Sequence, residues 1–111
     1  MLRRTFTAVL EKNSVFCESF ETEPYEAGWA SEARWFVHVL ENKVGSTLRL
    51  IPQISPDGLH WCDEGSPPLD IKGASLGSIA LGNFGAWLRL RAEIRDQQSC
   101  VRVLIHLVLK E

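Results

Sequence analysis

From Leu88 to Arg95 the chain alternates without a break. Leu88, Leu90, Ala92 and Ile94 are apolar, while Arg89, Arg91, Glu93 and Arg95 are charged. A period of two puts each set on its own face of an extended strand, one face buried and the other wet. Wound as a helix, the same segment would scatter its leucines around the axis and bury arginine. Leu48, Leu50 and Ile54 alternate in the same way with Thr47, Arg49 and Gln53. Val101, Val103, Ile105, Leu107 and Leu109 form a third apolar row, with β-branched residues near its start. The opposite row of that strand also holds Leu104 and Val108, so it is expected to be central or covered on both sides.

The remaining segments are less regular. Thr5 to Lys12 and Val15 to Glu21 read as a first hairpin turning at Asn13-Ser14. Trp35 to Val44 reads as a long strand turning at Gly45-Ser46, and residues 29 to 36 tolerate a short helical turn. Ile71 to Phe84 contains Gly73, Gly77 and Gly82, which favours short strands and bends. Glu23 to Gly28 and Gly65 to Pro68 are loops by composition. About seven or eight short strands with turns between them and no amphipathic helix predict an all-β, antiparallel two-sheet sandwich of jelly-roll type.

A chain of 111 residues fits one domain, spanning 1–111, with room for a genuine core. Its net charge of −2 gives no general attraction to nucleic acid or anionic lipid, and neither is expected as a partner. No stretch approaches the length of a transmembrane helix, and Glu11-Lys12 interrupts the start too early for a signal peptide. Cys17, Cys62 and Cys100 are odd in number and lack a short pairing pattern, so free thiols in a reducing, cytoplasmic setting are expected.

Ser55-Pro56-Asp57-Gly58-Leu59-His60-Trp61 is the most specific segment. Asp-Gly is a favoured turn pair, since glycine takes positive φ freely and aspartate bonds its own backbone. A strand precedes it, and a short one from Leu59 to Cys62 is expected to follow. Here the chain resembles the discoidin-like, galactose-binding-like jelly rolls, whose Ser-x-Asp-Gly-x-x-Trp hairpin joins two strands. Ala86 to Leu90 looks like their arginine-bearing strand, and Val101 to Leu109 like their last. Small accessory proteins of phage tails and bacterial assemblies have similar hairpins. The resemblance covers about residues 47 to 109 and implies a jelly-roll scaffold whose ligands sit in loops at one end.

No nucleophile elbow, activated-cysteine signature or phosphate-binding glycine loop is present, so catalysis and cofactors are not expected. His60 and Cys62 would share a face of a strand, but two ligands at that spacing fall short of a metal site, and none is assigned. Two groups stand out as candidate ligand-binding residues. Trp87, Arg89 and Arg91 line one strand face, suited to glycans, anions or a partner chain, or simply solvated and paired with residues such as Glu41 or Glu93. Tyr25 and Trp29 flank a polar loop and form an aromatic pair for stacking on a sugar or filling a partner's pocket. The expectation is a non-enzymatic module for protein binding or assembly, a homo-oligomer or partner-bound, with a phage-like structural protein as one form. The alternative is a carbohydrate-binding module using its loop aromatics.

Overall fold

The structure, a computed structural model, describes residues 3–42, 46–95 and 100–111. Ten strand segments run in chain order among these residues. They are β1 (Thr5–Phe16), β2 (Phe20–Glu21), β3 (Tyr25–Glu26), β4 (Glu32–Asn42), β5 (Thr47–Ser55), β6 (Cys62–Asp63), β7 (Leu69–Lys72), β8 (Leu76–Gly82), β9 (Trp87–Ile94) and β10 (Val101–Lys110). The first sheet has the order β1-β10-β4-β8. The second has the order β2-β9-β5-β6, with β3 also on β9 and β7 also on β5. Every pairing is antiparallel. Because β2 and β3 share one lateral position and β6 and β7 another, the segments fill eight positions, wound between the sheets as a jelly roll.

The alternation in the sequence is what closes the two sheets on each other. Leu88, Leu90 and Ala92 of β9 and Leu48 and Leu50 of β5 are fully buried on the inner face of the second sheet. Val103, Ile105, Leu107 and Leu109 of β10 meet them from the first sheet, beside Trp35, Val37 and Val39 of β4. Each leucine, isoleucine and valine among them stabilises the fold by roughly 1.5–3 kcal/mol on leaving water. β10 lies between β1 and β4, central as its two apolar rows imply.

Three local expectations are corrected. Asn13-Ser14 is not a hairpin turn. β1 runs through it to Phe16, still paired with β10, and absorbs the irregularity as register shifts between Val9 and Ser14, with Asn13 at φ 59°. A long central β10 templates both halves of β1, so a turn-prone pair becomes a bulge. Residues 29 to 36 form no helical turn. From Glu32 they are strand, because burying Ala33, Trp35 and Val37 on one face needs a period of two. The turn at Gly45-Ser46 falls partly outside the described residues, and Ile71 to Phe84 divides into β7 and β8 as short strands.

The cysteines give the third correction. Cys17 and Cys100 are joined by a disulfide, with S–S 2.06 Å, and only Cys62 is free, on the surface. The β1–β10 register explains the pairing. Phe16 faces Val101, so the next residue on each strand, Cys17 and Cys100, stand opposite one another. Cysteines 83 positions apart in sequence show no spacing pattern because strand register alone brings them together.

Intact-mass measurement without reductant is therefore expected to show one disulfide, with a single thiol, Cys62, alkylating. Cys17→Ser is expected to lower unfolding stability by about 2–4 kcal/mol in chemical denaturation. Three alkylated thiols in fresh, unreduced protein would refute the pairing.

Candidate functional site

Past Ser55, the last residue of β5, Pro56 to Trp61 form a six-residue loop to β6, closed by Gln53↔Asp63 and Ile54↔Cys62. The strand expected from Leu59 is confined to Cys62–Asp63. Local bonds hold the turn. Ser55 Oγ accepts from the backbone N–H of Asp57 (3.2 Å) and of Gly58 (2.8 Å), and donates to Asp57 Oδ1 (3.0 Å). Asp57 Oδ1 also accepts from the N–H groups of Leu59 and His60, and Oδ2 lies 2.7 Å from His60 Nδ1. The His60 backbone and ring, followed by the Leu59 N–H, hold the Asp57 carboxyl well below the usual carboxylate range. His60 is thus a loop residue occupied by Asp57 and does not share a strand face with Cys62. Among the described residues no group of three or more His, Cys, Asp or Glu gathers as metal ligands.

This loop folds back over the outer face of the second sheet, where Trp87, Arg89 and Arg91 lie. Gly58, at φ 79°, rests on the Trp87 ring so closely that an added Cβ would stand 3.1 Å from it. Arg89 donates to Gln53 Oε1 (2.7 Å), its guanidinium lies 4.4 Å from the Trp61 ring centroid, and Gln53 Nε2 donates to Asp63 (2.9 Å). Arg91 pairs with Glu93 at 3.6 Å and Arg102 with Glu41 at 2.9 Å. These residues therefore have partners within the chain. Gln53 and Trp61, which complete the cluster, carried no signal beyond their places in the alternating row and the hairpin.

Tyr25 and Trp29 are brought together elsewhere, at a corner between β1 and β3. Tyr25 faces Leu88 in the β3–β9 register while Glu26 faces Trp87, so the alternation of the strand parts the two aromatic groups. The Ala27 N–H bonds to the Ala86 carbonyl (2.7 Å) and the Ala30 N–H to the Ala27 carbonyl (3.0 Å), tying down the loop that carries Trp29. The result is an open cleft of about 560 Å³ lined by Arg4, Phe6, Pro24, Tyr25, Glu26 and Trp29. The Phe6 and Tyr25 rings are 6.2 Å apart, and the Arg4 guanidinium sits 4.5 Å from the Trp29 centroid while pairing with Glu111 at 3.2 Å. Phe6 of β1 and Arg4 just before it carry no local signal of the cleft, since they join the loop only through the closure of the sandwich.

The outer face of the first sheet is different in character. Val9 (53% exposed), Val15 (57%), Leu40 (38%) and Leu76 (62%) stand in solvent there, and Phe36, Leu104 and Val108 are half-buried. Phe36, Ala80 and Val108 floor a shallow hollow of about 590 Å³, with Glu32, Arg34 and Lys110 around it.

No protein-family model and no curated protein matches the chain. Among solved structures, the SPBc2 prophage-derived protein YomS superposes with a TM-score of 0.67 over 100% of this chain and 96% of YomS, at 6% identity. The PBSX exported protein XepA superposes with a TM-score of 0.62 over 97% of this chain and 36% of XepA, at 12% identity. A xylanase 10B fragment of Clostridium thermocellum, comprising CBM22-1 and GH10 modules with xylohexaose, reaches 0.49 over 79% of this chain and 19% of that one, at 15% identity. The first two likenesses establish a shared β-sandwich fold, and fold does not carry ligand with it. The third is too loose to bear on a sugar site.

Two measurements test the loop. Gly58→Val combines a β-branched side chain at positive φ with a clash against Trp87, and is expected to cost about 1–3 kcal/mol in thermal or denaturant unfolding. The contribution of Asp57 is present above its unfolded pKa of about 3.9 and is lost only as pH falls through its lower folded value. Asp57→Asn is accordingly expected to melt earlier at neutral pH and to lose less stability than the parent on acidification. A parent-like acid profile would remove the carboxylate from the account.

Proposed function

We propose that the chain is a non-enzymatic β-sandwich module that works by assembly, with copies of itself or with a partner protein. The observation that carries this reading is the apolar outer face of the first sheet. The second sheet shows what an ordinary wet face looks like here, with Arg49 bonded to Asp70 and Arg91 paired with Glu93. The first sheet instead offers Phe36, Leu104 and Val108 in its middle and Val9, Val15 and Leu76 around them. Exposed apolar side chains gathered on one sheet face mark interaction sites, and here they stand among His38, His106 and Arg34. The likeness of the whole chain to a prophage-derived protein supports a phage-type structural role within this reading. The Cys17–Cys100 disulfide supports an oxidising compartment over the cytoplasmic location expected from the cysteine count.

A second reading has its own observation. The corner cleft presents Phe6, Tyr25 and Trp29 with polar groups from Arg4 and Glu26, and no histidine or cysteine lines it. Aromatic faces beside hydrogen-bonding groups suit a sugar ring, and this arrangement supports carbohydrate binding as the alternative.

Light scattering separates the two. Assembly predicts an oligomer at micromolar concentration that Leu104→Glu weakens by placing a charge on the apolar face. A parent that stays monomeric at every accessible concentration would defeat self-assembly. Sugar binding predicts signal on a glycan array that Tyr25→Ala and Trp29→Ala abolish while the fold is retained. An empty array would dismiss it.

A further inference from the structure

β1 is an edge strand, paired among the described residues with β10 alone, and its two halves are unlike. The second half is blunted as open edges usually are. Glu11 and Lys12 bring charge, and the register shifts and positive φ at Asn13 bend the strand. The first half, Thr5-Phe6-Thr7-Ala8-Val9, carries no charge, proline, glycine or register shift. It is β-prone and largely exposed, with Phe6 48% accessible. An unprotected edge next to a protected one is a place where another strand can pair.

The direction of the free groups follows from the ladder. The Glu111 N–H bonds to the Arg4 carbonyl at 2.9 Å, and the register continues Thr5↔Lys110, Phe6↔Leu109, Thr7↔Val108. In an antiparallel ladder the bonded residues alternate, so Arg4, Phe6 and Ala8 turn their backbone groups to β10. Thr5, Thr7 and Val9 turn theirs outward.

We infer that this edge is a homodimer contact, in which the Thr5–Val9 segments of two copies pair antiparallel about a two-fold axis at Thr7. The inference rests on the assembly reading and names its partner as a second copy. The segment is complementary to itself in that one register. Thr7 meets Thr7 of the second copy and Thr5 meets Val9, so every outward backbone group finds a partner. On the inner side Phe6 lies across from Ala8, large against small, at both symmetry-related places. No like charges meet, because the segment has none. The two four-stranded first sheets become one continuous sheet, and their apolar outer faces join across the axis.

The test uses analytical ultracentrifugation of the parent, Thr7→Pro and Leu104→Glu, with circular dichroism to confirm folding. Proline at position 7 removes an outward N–H and leaves the β10 ladder intact. With one bond lost from each copy, it is expected to raise the dimer dissociation constant by about tenfold or more. As a second measurement, Thr7→Cys in a Cys62→Ser background is expected to form a disulfide-linked dimer on mild oxidation. Leu59→Cys in the same background, also exposed and away from the edge, is expected not to. A dimer that Leu104→Glu dissociates and Thr7→Pro leaves intact would overturn the edge contact and keep the face. Equal cross-linking of the two cysteine variants, or none at position 7 in a dimeric parent, would also overturn it. A monomeric parent would overturn the edge and self-assembly together.

Discussion

The antiparallel pairing of β10 with β1 on one side and β4 on the other organises the rest of the molecule. One set of its side chains, from Val101 to Leu109, supplies the centre of the core, and its backbone sets the register of both neighbours. That register faces Leu107 to Trp35 and Ile105 to Val37, and brings Cys17 opposite Cys100. A one-residue slip along β10 would turn its entire apolar row to solvent, so this single alignment is strongly specified. The second sheet is then shaped to what the first presents, with β9 and β5 packing their alternate leucines down onto it.

The two outer faces of the sandwich differ in how their polar groups are met. Over the second sheet, polar groups that leave water are met within the chain. Gln53 and Ser55 are buried, and each bonds to the loop or strand above it. Thr22 does the same at the edge, accepting from the Leu90 N–H and donating its own backbone N–H to the Leu90 carbonyl. On the first sheet Val9, Val15, Leu40 and Leu76 stand in solvent beside the Arg102–Glu41 pair, and Phe36, Leu104 and Val108 are half-buried.

The fold class was legible in the chain because period two is a local signal. Leu88 to Ile94 and Val101 to Leu109 declare their buried faces without reference to any other segment. The same signal would have corrected residues 29 to 36, where Ala33, Trp35 and Val37 already alternate, against a helix preference that short windows overstate. Asn13-Ser14 misled because turn chemistry is local while the pairing that overrode it, to Ser14↔Val103, is not. The site was legible in part. Tyr25 and Trp29 stand four residues apart and do share a cleft, but Arg4 and Phe6 reach it from the far end of the first sheet's topology. The intramolecular contacts of Trp87 and Arg89, to Gly58, Trp61 and Gln53, were not legible because those residues lie on other strands and loops.

The Cys17–Cys100 bond also determines how the molecule bears load. Arg4 and Glu111 are adjacent, bonded to each other through backbone and side chain. Tension applied between them pulls β1 and β10 apart from the same end, so the pairs Thr5↔Lys110 onward open in sequence, as a zipper does, rather than shearing together. Such peeling begins at low force. It runs up the ladder only as far as Phe16↔Val101, where the covalent bridge takes the strain and the chain between the two cysteines feels none of it. With the bridge closed, a pull between Arg4 and Glu111 passes through Cys17 and Cys100 alone; with it open, the same pull loads the whole chain.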